Sequence, residues 1–263
     1  MPPAAPPSPH DAEPVAPPDP TADSDTLAAA RARFFVALDV ADSARALALV
    51  DNLGDTVSHY KVGLELLFGG GLDLARTLKA RGKIVFLDLK LLDIANTVER
   101  AVANAANLGV DYLTLHASDR QTLDAAVRGR GDSGLALLAV TVMTNLARAD
   151  LDDQGISETR SIEDLVTHRA ALARAAGVDG VVASGLEARK LRDASGAAFH
   201  IVTPGIRFAD DARGDQVRVM TPERAIAAGA SHLVIGRPIT TAHDPQAAAT
   251  RFTQAIADAL QKR

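Results

Sequence analysis

The stretch KIVFLDLKLLDIANTVERAVANAANLGVDYLTLH (83–116) decides the fold. It opens on an apolar run, KIVFLD (83–88), that breaks off at a charged residue. It continues through TVERAVANAANLG, where apolar residues recur at helical spacing, and closes on a second apolar run, DYLTLH (111–116). Strand, helix and strand in that order predict a unit with parallel strands and a covering helix.

The same unit recurs on both sides. Upstream, FFVALD (34–39) and HYKVG (59–63) read as strands; downstream, so do LALLAVT (135–141), GVVAS (180–184), FHIVT (199–203) and HLVIG (232–236). Amphipathic segments such as SARALALVDNL, GLDLARTLKAR, IEDLVTHRAALARAAG and PERAIAAGA separate them. About eight units in about 230 residues predict an α/β fold closed as a (β/α)8 TIM barrel. A doubly wound open sheet is the alternative. Its dinucleotide form needs G-x-G-x-x-G in the first strand-to-helix connection, which here reads DVADSA, and no G-x-x-x-x-G-K-[ST] occurs.

Composition narrows the function classes. The 263 residues are 47% hydrophobic with net charge −5 and no extended Lys/Arg block, which argues against a nucleic-acid surface and for small-molecule partners. The absence of cysteine excludes disulfides, thiolate metal sites and cysteine nucleophiles, and fits a reducing cytoplasm. No apolar run reaches the length of a membrane span. Nine of the 13 prolines fall in MPPAAPPSPHDAEPVAPPDPTADSD (1–25), and no Lys or Arg precedes Arg31. Residues 1–30 are therefore expected to be a disordered tail rather than a signal peptide, with 31–263 forming one barrel domain.

In such a barrel the strand C-termini share one rim. They deliver Asp39, Lys61, Asp88 with Lys90, His116, Thr141 to Thr144, Ser184, Pro204 to Arg207, and Gly236 with Arg237. Taken singly, each has a bland reading: a strand-end Asp caps the next helix, and a strand-end Lys snorkels to solvent. The segment FLDLKLLDIANT (86–97) is harder to dismiss. In an extended stretch Asp88 and Lys90 point to one side, and Lys61 comes from the preceding strand. The alternating charges Lys61, Asp88, Lys90 and Asp93 then support one another's ionised forms. A structural salt-bridge network is the alternative. VTPGIR (202–207) and VIGRPIT (234–240), after strands seven and eight, are suited to a phosphate, with Arg207 and Arg237 able to add charged hydrogen bonds.

The run D-x-K-x-x-D-I-x-N-T, preceded by ALD and YKVG and followed by VTPGIR, D-Q-x-R-V and G-R-P-I-T, resembles the bacterial orotidine 5'-phosphate decarboxylase family from Phe34 to the C-terminus. The resemblance implies decarboxylation of orotidine 5'-phosphate to uridine 5'-phosphate with no cofactor and no metal. It implies Lys90 as proton donor to the ring carbon, Asp88 against the departing carboxylate, Lys61 bridging Asp88 and ribose, and Asp39 on ribose or its neighbouring lysine. It further implies a homodimer in which Asp93 and Thr97 reach the partner's site. Thr144 corresponds to a pyrimidine contact, and Arg207, Gln216, Gly236 and Arg237 to a phosphate grip. Gln216 lies in FADDARGDQVR (208–218), expected to act as a lid.

The sequence departs from the family pattern at Leu92, where His is usual, at Ala95, where Pro is usual, at Asn145, where Ser is common, and in VVASGLE (181–187), where a Cys-Ser pair is frequent. His116 is expected to be structural. Two rival readings remain: a Mg2+-dependent sugar-phosphate decarboxylase or aldolase of the same superfamily, and an inactive barrel that binds nucleotide or protein. In the metal enzymes the strand-two position resembles a metal-binding Glu, whereas this chain has Lys61, a cation that would repel Mg2+.

Overall fold

A computed structural model describes residues 20–157, 159–210 and 218–262. Helix α1 (Pro20–Arg31) leads into β1 (Phe34–Ala37) and α2 (Ser43–Leu53). Next come β2 (His59–Gly63), α3 (Leu64–Leu66), α4 (Leu72–Ala80), β3 (Ile84–Leu91) and α5 (Ala95–Asn107). Then follow β4 (Tyr112–His116), α6 (Arg120–Arg130), β5 (Ala136–Val140), α7 (Arg148–Asp153) and α8 (Ile162–Ala176). The chain continues through β6 (Gly180–Val182), α9 (Ala188–Ser195), β7 (His200–Thr203) and α10 (Pro222–Ala227). It ends with β8 (His232–Ile235), α11 (Arg237–Thr240) and α12 (Pro245–Gln261).

All eight strands pair in parallel in chain order, and β8 closes on β1 with Phe34 opposite Leu233. This is the closed (β/α)8 barrel that the strand spacing predicts. Local signals start its helices: Asp42, Asp119, Ser161 and Asp244 each accept a hydrogen bond from a first-turn backbone N–H of α2, α6, α8 and α12.

Strand alternation fills two cores. One face of each strand packs under the helices, where Val36, Val62, Val85, Leu113, Leu137, Val181, Ile201 and Leu233 are buried. The other face fills the barrel. Its lower half is a plug of rings in which Phe35 meets Phe86, His59, Tyr112 and His232, while His200 stacks near Tyr112 and His232, at centroid separations of 5.2–5.7 Å. The upper half stays open to the strand C-termini.

The expected tail needs correcting from residue 20 onward. Residues 1–19 lie outside the described residues, but 20–31 form α1, which packs on α12 with Ala30 fully buried and Leu27 against the core. The cluster of prolines ends at Pro20, a tolerated first helical position, and the following LAAAR favours helix.

Candidate active site

At the mouth, β1, β2 and β3 place a ladder of charges side by side. Lys61 Nζ lies 2.9 Å from Asp39 Oδ1 and 3.6 Å from Asp88 Oδ2, and Lys90 Nζ lies 2.8 Å from the same Asp88 oxygen. The Lys61 side chain is only 8% exposed. Burial opposes its charge, yet Asp88 and Asp39 outweigh that penalty and raise its pKa. Asp88 mirrors it: burial disfavours the carboxylate, but Lys61 and Lys90, aided by hydrogen bonds from Lys90 and Thr114, hold it below the usual range. The site therefore holds Asp88 as an ionised carboxylate between two lysines, with Asp39 on the other side of Lys61.

Space for this ladder is left by Gly63. A Cβ there would lie 2.9 Å from Lys61 Nζ and 3.1 Å from Asp39 Oδ1.

The nearness of Asp88 and Lys90 has a different cause from the simple alternation expected. Leu87 pairs with Leu113 and Leu91 with Leu115, so Asp88, Leu89 and Lys90 all stand opposite Thr114 in a bulge. Lys90 takes φ +50, alone among the described residues other than glycine in having a positive φ. Such a conformation costs a residue with a side chain about 1–2 kcal/mol. It is held by the Lys90 N–H, which donates to Thr114 Oγ1 at 2.9 Å.

Above the ladder opens a cavity of about 570 Å3. Asp39, Lys61, Asp88, Lys90, Thr144, Arg207, Gly236 and Arg237 line it, against an apolar wall that includes Phe86, Val140, Val142 and Val182. Asn145 also faces it. Asp93 and Thr97 do not: both are exposed outside this cavity, Asp93 at the entrance to α5 with its Oδ1 accepting from the Ile94 N–H at 2.6 Å. Three of the four charges expected to converge thus do so within one subunit, and Asp93 faces outward. His116 is half-buried beside the ladder, its imidazole pKa lowered by burial and then by Lys90 and Arg169.

On the opposite side, Gly205 takes φ +76 and turns the chain after Pro204. The Arg207 N–H donates to Met220 O and the Met220 N–H to Gly205 O, so the two ends of the loop that follows are tied together. Phe208 packs on Phe252 at 4.4 Å under the Arg251 guanidinium, which also pairs with Asp210 at 2.9 Å. At the far end Arg218 forms a buried 2.6 Å ion pair with Glu187. Gln216 and the centre of the expected lid, 211–217, lie outside the described residues.

Thr114, Gly63 and the Arg218–Glu187 pair were not singled out from the sequence. For Thr114 a signal existed: it lies two residues before the strand-end His116, on the inward face shared with Tyr112.

Fold and cavity together define a (β/α)8 barrel carrying a lysine–aspartate site at its C-terminal mouth. Residues 32–252 match the model of the Orotidine 5'-phosphate decarboxylase / HUMPS family, and the chain belongs to that family. It is 51% identical over 230 residues to an orotidine 5'-phosphate decarboxylase of Rhodopseudomonas palustris (strain BisA53), covering 88% of this chain and 97% of that protein. It is 52% identical over 227 residues to one of Afipia carboxidovorans, covering 86% and 95%. Among solved structures, the orotidine 5'-phosphate decarboxylase of Lactobacillus acidophilus superposes with a TM-score of 0.75 at 35% identity, over 85% of this chain and 98% of that one.

Proposed function

We propose that this chain decarboxylates orotidine 5'-phosphate to uridine 5'-phosphate, with Lys90 as the proton donor. The observation that carries this reading is the Asp39–Lys61–Asp88–Lys90 ladder facing one cavity whose far side bears Arg207 and Arg237. Breaking the bond to the carboxylate releases carbon dioxide and leaves an electron pair on the ring carbon. The Lys90 ammonium, held beside that carbon by Asp88, stabilises the developing charge and then donates a proton to it. Asp88 lies against the departing carboxylate, and Lys61 and Asp39 hold the ribose. Thr144 contacts the pyrimidine. Arg207, Gly236, Arg237 and, by its motif, Gln216 grip the phosphate, whose binding energy helps to assemble the site.

The Mg2+-dependent sugar-phosphate reading is disfavoured by Lys61. Its buried ammonium occupies the space between Asp39 and Asp88, where a divalent cation would meet a fixed positive charge. We assign no metal and no cofactor to the reaction.

The working unit in this reading is a homodimer in which Asp93 and Thr97 complete the partner's site. Phe68 is 90% exposed and Ile94 72%, with Leu64, Leu72 and Leu92 also open, all on the connections after β2 and β3. Apolar side chains gathered in this way suit a protein interface. No helix among the described residues is long and apolar enough to cross a membrane. A cytoplasmic location fits the cysteine-free composition.

The test follows the fall in ultraviolet absorbance as orotidylate is converted. Wild type is expected to turn over equally with and without EDTA, and Lys90→Ala to lose about a thousandfold or more in kcat. Arg237→Ala is expected chiefly to raise KM, by about tenfold or more. Wild-type enzyme that releases no carbon dioxide from orotidylate, or normal turnover by the Lys90 variant, defeats the assignment.

A further inference from the structure

We propose that Thr114 is a positioning residue for the reaction: its hydroxyl holds Lys90 in its left-handed conformation and aims the Asp88 carboxylate at the two lysines. The inference rests on the reading of Lys90 and Asp88 as the reacting pair.

The hydroxyl has one proton to give and lone pairs to receive with, and both capacities are used within the site. Thr114 Oγ1 accepts from the Lys90 backbone N–H at 2.9 Å and donates to Asp88 Oδ1 at 2.9 Å. Thr114 is fully buried. The two carboxylate oxygens of Asp88 are thereby divided: Oδ1 takes the threonine proton, and Oδ2 faces Lys90 Nζ at 2.8 Å and Lys61 Nζ at 3.6 Å. A carboxylate fixed through one oxygen cannot rotate away from the ammonium groups at the other.

The same contact explains how β3 accommodates its bulge. On the β4 side three residues of β3 face Thr114 alone, so pairing with that strand cannot satisfy all their backbone groups. The Thr114 side chain takes the place of a strand partner for the Lys90 N–H, and regular pairing resumes at Leu91 opposite Leu115. Thr114 does not line the cavity; it acts through Asp88 and Lys90. Neither valine, which matches its shape but has no hydroxyl, nor alanine can make the bridge, whereas serine can.

Three variants test this: Thr114→Val, Thr114→Ser and Thr114→Ala. With orotidylate as substrate, Thr114→Val is expected to lower kcat by about 10- to 100-fold with KM within about threefold of wild type, as for a misplaced reacting group. Thr114→Ser is expected to retain kcat within about threefold, because the bridge survives. Should the valine variant not fold, the alanine variant carries the same expectation. A hydroxyl-free variant that keeps wild-type kcat, or a serine variant that loses as much as valine, overturns the proposal. A crystal structure of the hydroxyl-free variant gives a readout independent of turnover. Lys90 is expected to leave its positive φ, or Asp88 to turn so that the Lys90 contact lengthens; an unchanged arrangement overturns the proposal. If the wild type fails to decarboxylate orotidylate, the functional reading falls, and the crystallographic outcome still decides the role of Thr114.

Discussion

At the scale of single residues, Gly63 is the position where one added methyl group reaches the chemistry directly. Its φ of −101 suits any residue, so the constraint is spatial: the Cβ would press on Lys61 Nζ and Asp39 Oδ1 rather than on backbone. Both atoms end flexible side chains, so the protein can yield, but only by moving the Lys61 ammonium. Gly63→Ala is expected to lower kcat/KM by about 10- to 100-fold, since misplacement by about 1 Å carries that cost. Its melting temperature should stay close to that of wild type, and calorimetry beside the absorbance assay checks both. Unchanged kcat/KM would show that the Lys61 position tolerates displacement. Asp39 and Asp88 were legible in the sequence because each ends an apolar run, and Lys61 and Lys90 because each is a charge set inside an apolar strand segment. The conformation of Lys90 was not, because a bulge depends on how β3 registers against β4, and local spacing carries no record of that pairing.

At the scale of elements, the lower ends of β2, β7 and β8 bring His59, His200 and His232 together among Phe35 and Tyr112. Burial lowers the His232 pKa to about 3, reinforced by the neighbouring His200, His59 and Arg33. Burial also lowers His59 to about 4, with Asp111 opposing and Lys79 assisting. His200 is shifted the same way by burial, with Asp179 opposing and Arg192 and Arg33 assisting. Each folded-state pKa lies below its unfolded value, so protonation favours unfolding. The stability these groups contribute is full above about pH 6.5 and drains as the pH falls, through about 4 for His59 and about 3 for His232. His232→Phe should flatten this dependence. Between pH 6.5 and 5 one such group accounts for about 2 kcal/mol, or several degrees of melting temperature in a domain of this size. The variant should still fold, because no described residue hydrogen-bonds His232 Nδ1, and a phenyl ring leaves no such atom unpaired. Melting curves at pH 7 and pH 5 decide; an undiminished acid sensitivity in the variant refutes the account. The strands themselves were readable from their apolar runs. Helix α1 was missed because the proline density of the first 20 residues masked the helix-favouring segment that follows them.

At the scale of the whole molecule, the closed barrel was legible from the count and order of units, while the outward placement of Asp93 was not legible from spacing and was implied only by the family resemblance. Asp93 sits in the same motif as Asp88 and Lys90, and spacing alone predicts that it joins them. The turn into α5 carries it outward instead, beside the exposed Leu92 and Ile94. If Asp93 serves the partner's site, two inactive variants can rescue each other. Mixing dissociated Lys90→Ala and Asp93→Ala subunits in equal amounts and letting them reassociate should restore about a quarter of wild-type activity, because half the dimers are mixed and each holds one intact site. No recovery on mixing would place Asp93 with its own subunit or outside the reaction.

The plug of aromatic and imidazole rings below the ladder makes the barrel a blind well rather than a tunnel. Phe35 and Phe86, both buried and in edge contact, close the floor beneath Lys61 and Asp88 among the described residues. With that floor closed, the opening through which the nucleotide comes in is also the way out for carbon dioxide formed in the proposed reaction. Until it leaves, it stays within reach of the carbanion it left behind, and under the proposed mechanism a prompt proton from Lys90 would keep the two from recombining.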